Sequence, residues 1–473
     1  MKLFLLFLYI YYIAFNIDQS AFAGNFNHIV QQNSKQIEDE FDLADSPTLE
    51  TDYLLEENSS QEDFISPQKT VYSIRDRLDK LPFEFRCFFD SRMGVRLFNK
   101  LIFSKRINLC ENRFHNEFSK SWNKFQFNLS SDFYYDVYLK SIFQSNFREV
   151  NILYKPVDNI YIKAGRQILS WGVGDLIFIN DLFPKDFQSF LIGRDQAYFK
   201  APSDSIKMDI QYSLANFTLI YTPEFNEDIY VKGERISFID PLGIRRSEDN
   251  QLPVDNSSNW FRKDELAWRF FLNYEGHELA VYGYYGYWKS PFGIDLTINK
   301  FYFPKLYAHG FSIQEEVLHG IFSIESGYYF SKDDVDGDNS FVQNSDLRFL
   351  ISFEKELIPD FTANIQFYIQ KTLQFNALKN NLLPMQKIPE EITDIITIRL
   401  TQLMLKQNLQ LSLFTYCSLV EKDGYLRLSL RYNITDDCRL ELGANIFFAK
   451  DKNTKFGQFY YNKNFFFGFR LSF

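Results

Sequence analysis

Residues 163–187 read KAGRQILSWGVGDLIFINDLFPKDF and form the most distinctive stretch in the chain. Arg166 and Gln167 supply donors, Asp175, Asp181 and Asp186 supply carboxylates, and Arg194 follows a few residues on. Groups of this kind can pair across a passage and fix a guanidinium within it, which is the chemistry of an electrostatic constriction. Bond-breaking chemistry finds less support. The five histidines, His28, His115, His277, His309 and His319, show no HExxH or other ligand spacing, so the sequence predicts no metal site, no catalytic residue and no cofactor.

The elements that must position these groups are strands. In the last segment Phe465, Phe467, Phe469, Leu471 and Phe473 share one face, opposite Phe466, Gly468, Arg470 and Ser472. The same period of two recurs in Leu426, Leu428 and Leu430 against Arg427, Ser429 and Arg431, and in Leu440, Leu442, Ala444 and Ile446 against Arg439, Glu441, Gly443 and Asn445. Reading the whole chain this way predicts 18 strands between residues 84 and 473, with 16 as the other even count. From the second strand on, every second connection is a tight turn, as at Glu275-Gly276 and Leu318. The remaining connections include long polar loops at 171–204, 224–264, 288–304, 331–344, 372–391 and 449–463. Short turns on one side and long loops on the other predict an all-β transmembrane antiparallel barrel, with the short turns facing the periplasm.

The ends of the chain agree with that class. Lys2, the apolar run Leu3 to Phe15 and Ala21-Phe22-Ala23 read as a secretory signal over 1–23. Residues 24–70 carry 11 Asp/Glu against Lys35 and Lys69, a net of −9 within a total of −10. They read as an acidic, disordered periplasmic tail, with docking or plugging as its other role. That leaves 71–473 as the barrel, nearly neutral, with nothing to attract nucleic acid. The 53 Phe, 29 Tyr and 5 Trp are expected at the two membrane interfaces, as in Tyr282, Tyr284, Tyr285, Tyr287 and Trp288. A terminal Phe473 after an alternating strand resembles the signal read by the bacterial outer-membrane barrel assembly machinery. The four cysteines sit at opposite ends of their hairpins, Cys87 from Cys110 and Cys417 from Cys438, so no disulfides are expected.

Alternation poses one difficulty. Ile160, Ile162 and Ala164 face lipid, so Arg166 would follow them, at a cost of roughly 2–4 kcal/mol near the midplane. A bulge at Gly165 would return Arg166 to the lumen; a position near the outer rim is the alternative. With the bulge, Asp175, Asp181 and Asp186 could pair with Arg166 or Arg194, as a constriction or as a structural brace.

With the flanking segments, residues 147–225 resemble a bacterial outer-membrane family catalogued as a domain of unknown function. Its pattern is Gly-Arg-Gln at a strand end, then Trp-Gly, then Asp and Pro-x-Asp in a long loop. Gly165, Arg166 and Gln167 fit the first part, Trp171 and Gly172 the second, Asp181, Pro184 and Asp186 the third. Where the pattern often has an acidic residue after Trp-Gly, this chain has Val173 and Gly174 before Asp175. The resemblance implies a porin-like barrel and fixes no substrate.

The reading that results is a porin-like channel or transporter for small or amphipathic solutes, constricted by the 171–204 loop. An Arg-weighted inner face, with Arg92, Arg113, Arg399, Arg427 and Arg470 among its members, predicts at most a mild anion preference. The alternative is a non-conducting structural or assembly partner of a periplasmic export machine. Inward bulky residues such as Phe271, Leu350, Phe414, Tyr416, Phe447 and Phe466 would favour it. The expected partners are outer-membrane lipid, the barrel assembly machinery and a periplasmic protein met by the acidic tail.

Overall fold

A computed structural model describes residues 82–97, 102–103, 105–138, 143–256, 260–384 and 386–473. The signal and tail expected over 1–23 and 24–70 lie outside these residues.

Eighteen strands form one sheet that closes on itself. They are β1 Glu84–Arg96, β2 Ile107–Trp122, β3 Phe125–Asp136, β4 Phe143–Val157, β5 Ile160–Ile168, β6 Pro202–Tyr212, β7 Ala215–Thr222, β8 Glu265–Tyr274 and β9 His277–Tyr287. The second half comprises β10 Lys305–Val317, β11 Gly320–Ser331, β12 Asp346–Ile358, β13 Phe361–Thr372, β14 Ile392–Met404, β15 Leu409–Ser418, β16 Asp423–Asn433, β17 Cys438–Ala449 and β18 Asn464–Ser472. Each strand pairs antiparallel with its sequence neighbours. The ladder from Phe88↔Ser472 to Arg96↔Asn464 joins β1 to β18 and leaves no open edge. The count is 18, not 16.

One end carries only short connections. Two of these are two-residue hairpins with both residues at positive φ, Glu275 (51°) with Gly276 (89°) and Leu318 (54°) with His319 (59°), the backbone that follows the twist of the flanking strands. The other end carries the long loops. The cysteines follow this geometry: Cys87 stands opposite Asn116 and Cys110 opposite Met93, far apart on the same hairpin.

The alternation sorts side chains as the sequence predicts. On the outer wall Phe270, Val281, Phe311, Phe349, Ile351, Ile365 and Phe367 are exposed, a lipid-facing surface in an outer-membrane barrel. Near the loop end Tyr221, Leu266, Tyr285, Tyr307 and Phe330 stand in one register across β7 to β11. This is an interfacial row. The aromatic excess has a second cause, however, because Tyr282, Tyr284, Tyr329, Tyr368, Phe414, Tyr416, Tyr425, Phe447 and Phe466 point inward and are buried. Tyr282 and Tyr284, expected at an interface, instead join a core inside the barrel.

Candidate functional site

That core forms around the connection between β5 and β6, residues 169–201, which folds into the barrel. It is slightly displaced from the expected 171–204, since β6 begins at Pro202. Ile177, Ile179, Leu191 and Ile192 from the segment pack in one apolar cluster with Leu350, Phe414, Tyr416, Tyr425 and Phe447 from the wall. Burying these side chains stabilises the inward position by the usual ~1.5–3 kcal/mol each.

A loop inside a barrel has no ladder partner for its backbone, so its carbonyls and amides need side-chain partners. The wall supplies them nearly all the way round. Trp171 packs edge-on against Phe183, with centroids 4.8 Å apart, and near Tyr282 of β9. Glu325 of β11 accepts from the amides of Val173 (3.1 Å), Gly174 (3.0 Å) and Asn180 (2.8 Å). Gly172 is required there: its φ is +80°, and a Cβ would lie 2.7 Å from the Glu325 carboxylate. Gln366 of β13 exchanges bonds with the Asp175 backbone, and Arg399 of β14 grips the Asp175 carboxylate at 2.5 and 2.9 Å. Tyr416 of β15 donates to Leu176 O (2.6 Å), and Tyr329 of β11 to Ile179 O.

The second half of the segment is a short helix, α1, Phe187–Ile192. Asp186 caps it, accepting from the Ser189 amide at 2.7 Å, and Gly193 ends it at φ +90°. Pro184 precedes the cap, where a missing amide costs nothing, and its carbonyl accepts from Ala201. Arg427 of β16 donates to Phe190 O (2.8 Å) and Arg194 O (3.2 Å). Asn445 and Asn464 both donate to Leu191 O, and Arg92 of β1 to Gly193 O at 3.0 Å. Arg148 of β4 donates to Ala197 O and Lys200 O, and its guanidinium lies over the Tyr198 ring, as does that of Arg113.

Ion pairs complete the attachment. Arg194 meets Glu111 of β2 at 2.7 Å and Asp186 at 3.9 Å, while Arg113 bridges Glu111 and Asp132 at 2.6 Å each. Asp195 faces Arg470 (3.2 Å) and Arg92 (3.5 Å). Burial works against the Asp195 charge, but these two guanidiniums hold its carboxyl well below the usual range. For Asp186 burial wins over Arg194 and Ser189, and the carboxyl lies above it. A second connection reaches inward as well: Arg235 of the β7–β8 loop pairs with Asp136, and Ser237 exchanges bonds with Asn462.

The expected site residues divide accordingly. Asp175, Asp186 and Arg194 belong to the inward segment and hold it to the wall or to itself. Asp181 pairs with Lys185 (2.8 Å) and Ser170 (2.9 Å), within the loop. Trp171, Gly172 and Pro184 shape its course. Gln167 is buried in the wall against Ser205. Arg166 is not in the lumen. The ladder through Gly165 is unbroken on both sides, with Asn151↔Gly165 and Arg166↔Asp204 in register, so no bulge lies there. Arg166 keeps the lipid-facing parity of Ile162 and Ala164, near the loop end, and pairs with Asp204 at 3.0 Å. The positive φ of Gly165 (+120°) serves close packing instead, since a Cβ would meet Val150 O at 2.3 Å. The bulge expected at Gly165 occurs on β4, where the register shift opposite Ser130 and Ser131 leaves Arg148 as the extra residue. It turns Arg148 into the lumen. Parity from Arg113 could have identified Glu111 and His115; no pattern in the sequence announced Arg148.

Below this segment, toward the short turns, lies a cavity of about 570 Å³ lined by Arg86, His115, Glu117, Arg148, Glu149 and Tyr198, among others. The inner face has fewer free cations than the Arg-rich sequence implies, because Arg92, Arg113, Arg194, Arg235, Arg399 and Arg470 all meet carboxylates.

No family model and no curated protein matches the chain, so the resemblance of residues 147–225 rests on its motif alone. Among solved structures, OccD3 (OpdP) of Pseudomonas aeruginosa is similar at TM-score 0.50 and 8% identity, over 82% of this chain and 90% of that one. OccAB3 of Acinetobacter baumannii gives 0.50 at 8% identity (82% and 98%), and OccK8 (OprE) of Pseudomonas aeruginosa 0.50 at 10% (82% and 97%). At such identity the likeness is one of fold: this chain is a closed 18-stranded antiparallel barrel similar to bacterial outer-membrane porins.

Proposed function

We propose that the chain is a porin-like channel of the bacterial outer membrane whose passage for small or amphipathic solutes is set by the inward segment 169–201. The signal over 1–23 delivers it, the barrel assembly machinery reads the strand ending in Phe473, and the short turns with the acidic 24–70 tail face the periplasm. The reading calls for no catalytic residue and no cofactor. One observation carries it: the segment is held across the lumen by polar side chains of the wall, and a cavity of about 570 Å³ with charged walls remains beneath it. An 18-stranded barrel is wide enough to keep a lumen beside such a segment. Constriction then falls to Asp175 with Arg399 and to Arg194 with Glu111. Arg166 has no part in it.

A second reading has its own support. The apolar packing of Ile177, Ile179, Leu191 and Ile192 on Leu350, Phe414 and Phe447 is what a filled, non-conducting barrel would show, with the tail engaging a periplasmic partner. Planar-bilayer recording of the refolded chain from Gly24 onward separates the two. Steady current with little ion preference supports the channel. Silence from protein shown to be folded overturns it and favours the filled barrel.

A further inference from the structure

We propose that His115, held between two carboxylates, makes the ion preference of the turn-end cavity depend on pH; this rests on the channel reading above. His115 is buried on β2 and lines the cavity. Its Nδ1 lies 2.7 Å from Asp132 Oδ1 and its Nε2 3.1 Å from Glu117 Oε1. An ionised carboxylate only accepts, so both contacts are hydrogen bonds only when the ring carries both protons. The Phe88 ring, stacked at 4.5 Å, fixes the plane of the imidazole.

The two carboxylates are not equivalent. Asp132 is fully buried and held by Arg113 (2.6 Å) and by the Tyr198 hydroxyl (3.0 Å) of the inward segment. Glu117 is about half exposed toward the cavity and has His115 as its contact partner. Other charges face the pair from around it: Glu84 and Arg86 on β1, Arg148 on β4, and Arg470 on β18, whose guanidinium lies over Phe88. Imidazole is the side chain whose ordinary titration falls near neutral pH. When the ring loses a proton, the remaining N–H stays with Asp132, where the acceptor cannot move. The bare Nε2 then confronts the Glu117 carboxylate, which swings into the cavity. The cavity loses one positive charge, and the Glu117 carboxylate that it had balanced is left mobile and uncompensated, so preference moves from anions toward cations as pH rises. The anchor of Tyr198 on Asp132 persists throughout.

The test is the reversal potential of the full mature chain under a potassium chloride gradient, from about pH 5 to about pH 9, in wild type, His115→Gln and Glu117→Gln. One unit charge about 8 Å from a permeating ion in water changes its occupancy roughly twofold. Because the cation gains what the anion loses, wild type should show a change of about fourfold in the anion-to-cation permeability ratio. His115→Gln should abolish it, and Glu117→Gln, a half-exposed change that the fold tolerates, should shrink it. A flat wild-type profile, or a step that persists in His115→Gln, overturns the proposal while leaving the channel intact. Silence from folded protein at every pH removes the channel reading and this inference with it.

Discussion

Two glycines with almost the same φ provide a controlled test of how firmly the inward segment is seated. Gly193 ends α1 at φ +90° and Gly276 sits in the β8–β9 turn at φ +89°. A Cβ on Gly193 would lie 2.3, 2.5 and 2.7 Å from three atoms of the Phe466 side chain, whereas a Cβ on Gly276 meets nothing within 4 Å. Phe466 is buried, so it cannot turn away freely. Alanine at either site takes on the left-handed penalty of about 1–2 kcal/mol. At Gly193 it adds an overpacking cost of about 1–3 kcal/mol and draws the Gly193 carbonyl away from Arg92. The excess of Gly193→Ala over Gly276→Ala is therefore about 2 kcal/mol, or roughly 30-fold in a local opening equilibrium. Amide exchange at Ser189 and Phe190 reads that opening directly, and should rise in Gly193→Ala alone. Single-channel records of the same variant should become noisier, with Gly276→Ala matching wild type. Equal exchange rates in the two variants would refute the reasoning, since they would mean that Phe466 yields and the segment is not fixed against β18.

Arg166→Ala should leave both conductance and ion preference unchanged, because Arg166 pairs with Asp204 on the outer wall; a shift in reversal potential would contradict that placement. Arg427→Met leaves the carbonyls of Phe190 and Arg194 without their donor, at about 1–3 kcal/mol each if water does not reach them, and should increase protease nicking within 187–195. Asp175→Asn and Arg399→Gln, combined in a double-mutant cycle, should couple by about 1 kcal/mol. That value is discounted because the two side chains are 29% and 19% exposed; a coupling near zero would remove this pair as an anchor.

The sequence by itself determined the barrel. A period of two reports which face each residue takes, and the spacing of turns reports strand number, so eighteen strands, their order and the side carrying long loops were all legible without coordinates. What parity could not convey was everything that depends on closure. Arg166 was given a bulge that exists instead at Arg148, because a register shift is set by two strands together and leaves no mark in either alone. Most inward arginines meet carboxylates, as cross-strand pairing allows, but those that meet loop carbonyls do so because a connection folded inside a barrel must find its hydrogen bonds on the wall. Phe414, Tyr416 and Phe447 alternated as inward residues from the start, yet only the path of residues 169–201 made them a core.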